Sequence, residues 1–123
     1  MAVGKNKRRL VVVSAARTAT TTFGPFENTN GRVLRVTVKA TASAATPSVV
    51  PKLQKVLPGG TAVDALTGVA ITGVTEQELT IGPDIAAVTN VSALAYAPGR
   101  WNLVMTAGDA DSLTYEVYVE ELG

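Results

Sequence analysis

Arg32-Val33-Leu34-Arg35-Val36-Thr37-Val38-Lys39-Ala40-Thr41-Ala42 carries the clearest pattern in the chain. On an extended backbone Leu34, Val36, Val38 and Ala40 share one face, and Val33, Arg35, Thr37, Lys39 and Thr41 share the other. Side chains of a strand point alternately to opposite faces, so the stretch reads as a half-buried strand. The same period returns twice near the end of the chain. Trp101, Leu103 and Met105 alternate inward across residues 100–107, and Leu113, Tyr115, Val117 and Val119 do so across residues 112–121. Composition agrees: 18 Val and 16 Thr stand against 3 Ile and 2 Phe. Their β-branched side chains are stiff at χ1 and suit pleated strands better than helices. No long stretch shows helical spacing.

Working outward, turn signals divide the rest into short strands. Gly24-Pro25 breaks the chain, Asn30-Gly31 and Pro58-Gly59-Gly60 turn it, and Gly82-Pro83-Asp84 and Pro98-Gly99 do so again. Strands are expected at residues 10–16, 17–22, 48–56, 67–74, 77–81 and 86–96. Pro51 lacks an N–H and belongs at an edge or a bulge. Residues 62–66 fit a strand or one helical turn equally well. About eight strands with turns at intervals of roughly 8–12 residues indicate an antiparallel β-sandwich, with a jelly roll as the specific expectation. The 123 residues make one domain. Its expected limits are 10–123, behind a basic N-terminal arm at 1–9.

Several function classes fall away. The chain has no His and no Cys, which removes the usual general base, thiolate chemistry, the commonest metal ligand and any disulfide framework. No stretch reaches the roughly 18 apolar residues of a membrane-spanning helix. Residues 5–16 have the charge order of a secretory leader. Their apolar part is short, however, Ser14 interrupts it, and Val11-Val12-Val13 reads as strand. A net charge of +1 argues against a nucleic-acid coat. No cofactor is expected, and no catalytic residue stands out.

The candidate sites are few. Asp109-Ala110-Asp111, with Asp84 elsewhere, is the one acidic grouping that invites a hard cation, but Asx bonds in a hairpin turn explain it better. Glu76, Glu78, Glu116, Glu120 and Glu121 show no spacing that selects a catalytic pair, and read as solvated charge. Trp101 and Tyr115 alternate inward as core, whereas Tyr118 lies outward and is available for contact. The clearest charge asymmetry is Lys5, Lys7, Arg8 and Arg9. With no apolar residue among them to join a core, these four are expected to bind an acidic partner surface and to leave folding to Leu10 onward.

Two stretches carry a resemblance. One runs Asn30-Gly31-Arg32-Val33-Leu34-Arg35-Val36-Thr37-Val38, then Thr46-Pro47-Ser48-Val49 and Leu53-Gln54. The other runs Pro98-Gly99-Arg100-Trp101-Asn102-Leu103-Val104-Met105-Thr106, then Asp109-Ala110-Asp111-Ser112-Leu113-Thr114-Tyr115-Glu116-Val117. Together they span about half the chain and resemble small β-sandwich virion proteins of tailed bacteriophages. The resemblance implies a head decoration or cement protein on the capsid exterior. Its partners would be the major capsid protein and like subunits, with a trimer favoured, and it would have no catalytic residues. The basic N-terminus is not part of that pattern. A carbohydrate-binding or host-recognition module is the alternative, with a tail-tube or neck component behind it.

Overall fold

The computed structural model describes residues 7–29 and 31–123, and among these it contains nine strands and no helix. They are β1 (Lys7–Arg17), β2 (Thr21–Asn28), β3 (Val33–Ser43), β4 (Val49–Val56) and β5 (Ala62–Thr67), then β6 (Thr75–Gly82), β7 (Ser92–Leu94), β8 (Gly99–Ala107) and β9 (Leu113–Leu122). One sheet has the order β1-β9-β3-β6-β7, and the other β2-β8-β4-β5. The pairings nest about the β4–β5 turn: β4 with β5, β3 with β6, β2 with β8, β1 with β9. That is a long hairpin folded over on itself. Joining β3 to β9 and β4 to β8 then closes the two sheets of a jelly roll. The short β7 is an addition, running parallel to β6 at the edge of the first sheet.

The core lies where the alternation predicts. Leu34, Val36, Val38 and Ala40 of β3 meet Trp101, Leu103 and Met105 of β8, with Leu113, Tyr115, Val117 and Val119 of β9 beside them, all buried. Phe23 of β2 packs edge-on against Tyr115, ring centres 6.2 Å apart.

Other expectations need correcting. Residues 62–66 are strand, since Leu53, Asp64 and their neighbours place β5 beside β4. Gly24-Pro25 does not end a strand. It forms the irregularity within β2, between the pairs Phe23–Leu103 and Phe26–Trp101, where a residue without an N–H costs no ladder bond. Pro51 lies in an inner strand, not at an edge. β5 is running out there, and the Pro51 carbonyl still accepts from the Gly68 N–H at 2.7 Å. Of residues 67–74 Thr67 ends β5 and the rest keep only a bridge between Val49 and Ile71, and of residues 86–96 only Ser92–Leu94 is strand. Both stretches are mostly connections, and every Val and Thr in them is exposed, so β-branched content alone does not make a ladder.

The expected arm also changes character at its end. β1 begins at Lys7, not Leu10, and Lys7, Arg8 and Arg9 pair in register with Glu121, Glu120 and Val119. Lys5 lies outside the described residues.

Candidate functional site

Of the contact candidates Lys5, Lys7, Arg8, Arg9 and Tyr118, two are brought together from the two ends of the chain. Arg8 and Tyr118 both point out from the first sheet, on adjacent strands. The Arg8 guanidinium sits 4.5 Å over the Tyr118 ring. Around them the outward positions alternate in sign: Glu120 stands between Arg8 and Arg35, and Lys39 between Glu116 and Glu76. Opposite charges across strands each add a few tenths of a kcal/mol and keep the face solvated. Glu76 and Glu78 on β6 and Glu116 and Glu120 on β9 are thus spread over one open face, with β3 between the two strands.

Arg9 has the opposite parity and turns in. Its guanidinium bonds the Glu121 carboxylate and donates to the Glu27 carbonyl at 2.9 Å. Glu121, only 3% exposed, also accepts from the Thr29 N–H at 3.1 Å. This corrects two expectations at once: Arg9 is part of the fold, and Glu121 is not solvated. Parity could have found both. Glu121 continues the inward series 113, 115, 117, 119, and a carboxylate on that series must find a cation.

The same end of the sandwich holds a second inward cation, Lys55, in series with Val49, Pro51 and Leu53. Its ammonium lies 4.9 Å from the Trp101 ring centre and donates to the Pro98 carbonyl. Burial pushes its pKa below the ordinary 10.5. Between the two cations sits Asn28, 1% exposed, whose amide N–H groups donate to the carbonyls of Gly31 and Ala97. Its side-chain oxygen accepts from the Gly31 N–H at 2.9 Å. A Cβ at Gly31 would come within 2.6 Å of that oxygen and 2.9 Å of the Glu121 side chain, so only glycine fits. Trp101 completes the plug by donating to the Ala97 carbonyl at 2.7 Å. Beside this end a recess of about 300 Å³ is lined by Thr29, Arg32, Tyr96 and Pro98, with Tyr96 71% exposed.

The Asp109–Asp111 loop lies at the other end. The Asp111 N–H donates to the Asp109 carboxylate at 3.0 Å, and the Asp111 carboxylate accepts from the Thr46 N–H at 3.1 Å. The first is an Asx bond within the turn, and the second ties the turn to the loop after β3. Asp84 is at the opposite end, paired with Arg32. Among the described residues no three acidic side chains gather as metal ligands. A larger groove of about 640 Å³ runs along the edge of β6, between Glu76 and Glu78 on one side and Thr89–Val91 on the other. Nothing in the sequence marks it, because it is made by β7 stopping short.

No protein-family model matches the chain, and no curated protein matches it either. Solved structures do. The crystal structure of the SPBc2 prophage-derived protein YomS is similar over 97% of this chain and 96% of that one, with a TM-score of 0.58 at 13% identity. At that identity the likeness establishes the shared fold. A chain in the structure of infectious bursal disease virus Gx strain aligns with 95% of this chain and 31% of its own length, at 11% identity. Its TM-score of 0.44 is too low for a shared fold to be argued.

Proposed function

We propose that this protein is a non-enzymatic structural component of a phage virion, placed on the capsid exterior as a decoration or cement protein. It binds the major capsid protein and like copies of itself, with a trimer favoured. The observation that carries this reading is the jelly roll shared end to end with a prophage-derived protein. Physical chemistry supports it. Arg9, Glu121, Lys55, Asn28 and Asp111 are all tied into closing the module, so the polar groups serve rigidity rather than a reacting centre. A rigid module with exposed faces and edges suits shell stabilisation, where many modest patches act together. Gradient-purified particles from the source lysate test it. The protein should sediment with the capsids in a fixed ratio, and density outside the shell should vanish from particles lacking it. Particle fractions free of the protein would overturn the reading.

The recess at Tyr96 favours a second reading, a carbohydrate-binding module, because an exposed ring beside the Arg32–Asp84 pair offers both stacking and hydrogen bonds to a sugar. Specific retention on a glycan array, lost in Tyr96→Ala, would establish it. No retention would remove it.

A further inference from the structure

The first sheet has two edges, and they differ in charge and in what covers them. At the far edge, the Thr80 N–H bonds the Val91 carbonyl, so Thr80 turns its backbone groups toward β7. With a two-residue repeat, Glu78 and Glu76 turn theirs the same way. β7 pairs only with Thr80–Gly82, however, and leaves the rest of this edge open. The open stretch forms one wall of the 640 Å³ groove. Its floor is firm: the Gln77 side chain accepts from the Val69 N–H at 2.9 Å and donates to the Val69 carbonyl at 3.0 Å. A Cβ on Gly68 would meet that Gln77 oxygen at 2.0 Å, so the floor requires glycine there. The opposite wall is held by Asn90, which donates to the Thr67 carbonyl at 2.9 Å from a left-handed backbone, φ 63°. Val69 and Val91 are half exposed at the groove, and both carboxylates are exposed. Lys39 stands beside Glu76, but Glu78 faces Thr37 and has no cation in its row.

The other edge is β1. Its second half is occupied, since Arg17 folds back to donate to the carbonyls of Val13 and Ala15, and a register shift between Val12 and Ala15 distorts the ladder. The first half, Lys7 to Val12, is regular apart from one shift and basic, with Arg8 and Leu10 exposed. Unpaired strand edges are templates for pairing unless blunted. One edge is acidic and apolar, the other basic and apolar, and their free lengths match at five to six residues.

We propose that the open β6 edge receives the first half of β1 from a second copy of this chain. Such a contact continues the first sheet from subunit to subunit, with Arg8 against Glu76 and Glu78 and Leu10 against Val69 and Val91. It is head-to-tail, and head-to-tail contacts close into rings when the rotation permits. This deepens the part of the virion reading in which the protein binds copies of itself, and it is tested on the purified full-length protein, so that this edge contact and association with particles can fail separately. Sedimentation velocity at low salt should show concentration-dependent oligomers that weaken as salt is raised. Glu78→Lys should be monomeric and melt as the parent does, since it faces Thr37; Arg8→Glu should also be monomeric, melting somewhat lower because it then faces Glu120. Mixing the two variants should restore association, because each then offers the charge the other lost. The chain has no cysteine of its own, so Leu10→Cys with Val91→Cys should form disulfides between subunits only. A protein that stays monomeric at every concentration overturns the proposal, and so do oligomers indifferent to both charge reversals.

Discussion

Arg9 and Arg17 sit eight positions apart on β1 and close opposite ends of the sandwich, yet they are held by different chemistry. Arg9 meets a carboxylate: Glu121 is buried, and the pair also bonds Glu27 and Thr29. Arg17 meets none. Its guanidinium donates to the carbonyls of Val13, Ala15 and Tyr115 and lies 5.2 and 4.8 Å from the Phe23 and Tyr115 rings. The difference is in what removal would leave behind. Without Arg9 a charge is stranded out of water. Without Arg17 only carbonyls and ring faces lose a partner, and water reaches these at little cost.

The largest expected effect is at the Arg9 end, where the plug rests on one ring. Trp101 is buried, supports Lys55 and bonds Ala97. Trp101→Ala should destabilise by about 3–5 kcal/mol through lost transfer energy and an unfilled cavity. Denaturant melts measure it. A loss under about 1 kcal/mol would mean the ring is not the keystone of that end.

Next comes the ion pair itself. Arg9→Ala should cost about 1–3 kcal/mol, the lower part of that range reflecting the guanidinium's partial exposure. Adding Glu121→Gln should recover part of the loss, because a neutral amide is cheaper to bury than an unpaired carboxylate. Two truncations give a second measurement. Removing residues 1–9 should lower the melting temperature by several degrees relative to removing residues 1–6. Equal melting temperatures would return Lys7–Arg9 to the status of a free arm.

Arg17→Ala should cost less, about 1 kcal/mol, and Arg17→Lys nearly as much, since a point charge reproduces neither the forked donors nor the stacking. If Arg17→Ala proved as costly as Arg9→Ala, the stranded-charge account of the difference between the two ends would fail.

What the sequence made legible follows from where period-2 alternation holds. β3, β8 and β9 run through the middle of the sheets, are covered on their inner faces and show it, so their buried positions were readable residue by residue. β1 was misjudged because its inward residue at the sandwich end is Arg9. A charge paired across 112 positions looks like solvent exposure until its partner is known. Glu121 was readable by parity and was missed because its type outweighed its position. Arg8 and Tyr118 were each marked as contact residues on local grounds. Their stacking depends on the β1–β9 pairing, which brings the chain ends together and which no local pattern reports. The β6 groove had no local signal at all, since it depends on where β7 ends.

The smallest effect separates the two ends by sign. Lys55, at the Arg9 end, has a pKa lowered from 10.5 by burial. The unfolded chain therefore binds its proton more tightly, so this group disfavours folding while charged and stops doing so as pH rises toward 10.5. Tyr115, under Arg17, has a pKa raised from 10.0 by burial, which outweighs the opposing pull of the Arg17 charge. The unfolded chain then loses the Tyr115 proton first, so folding stability from this group is intact below pH 10.0 and declines above it. In the window just below pH 10, melting profiles of Tyr115→Phe should rise with pH, exposing the Lys55 contribution alone. Profiles of Lys55→Met should be flat there and then fall above pH 10, more steeply than those of Lys55→Met with Tyr115→Phe. Parallel profiles for the two variants would show that neither end couples folding to these protons.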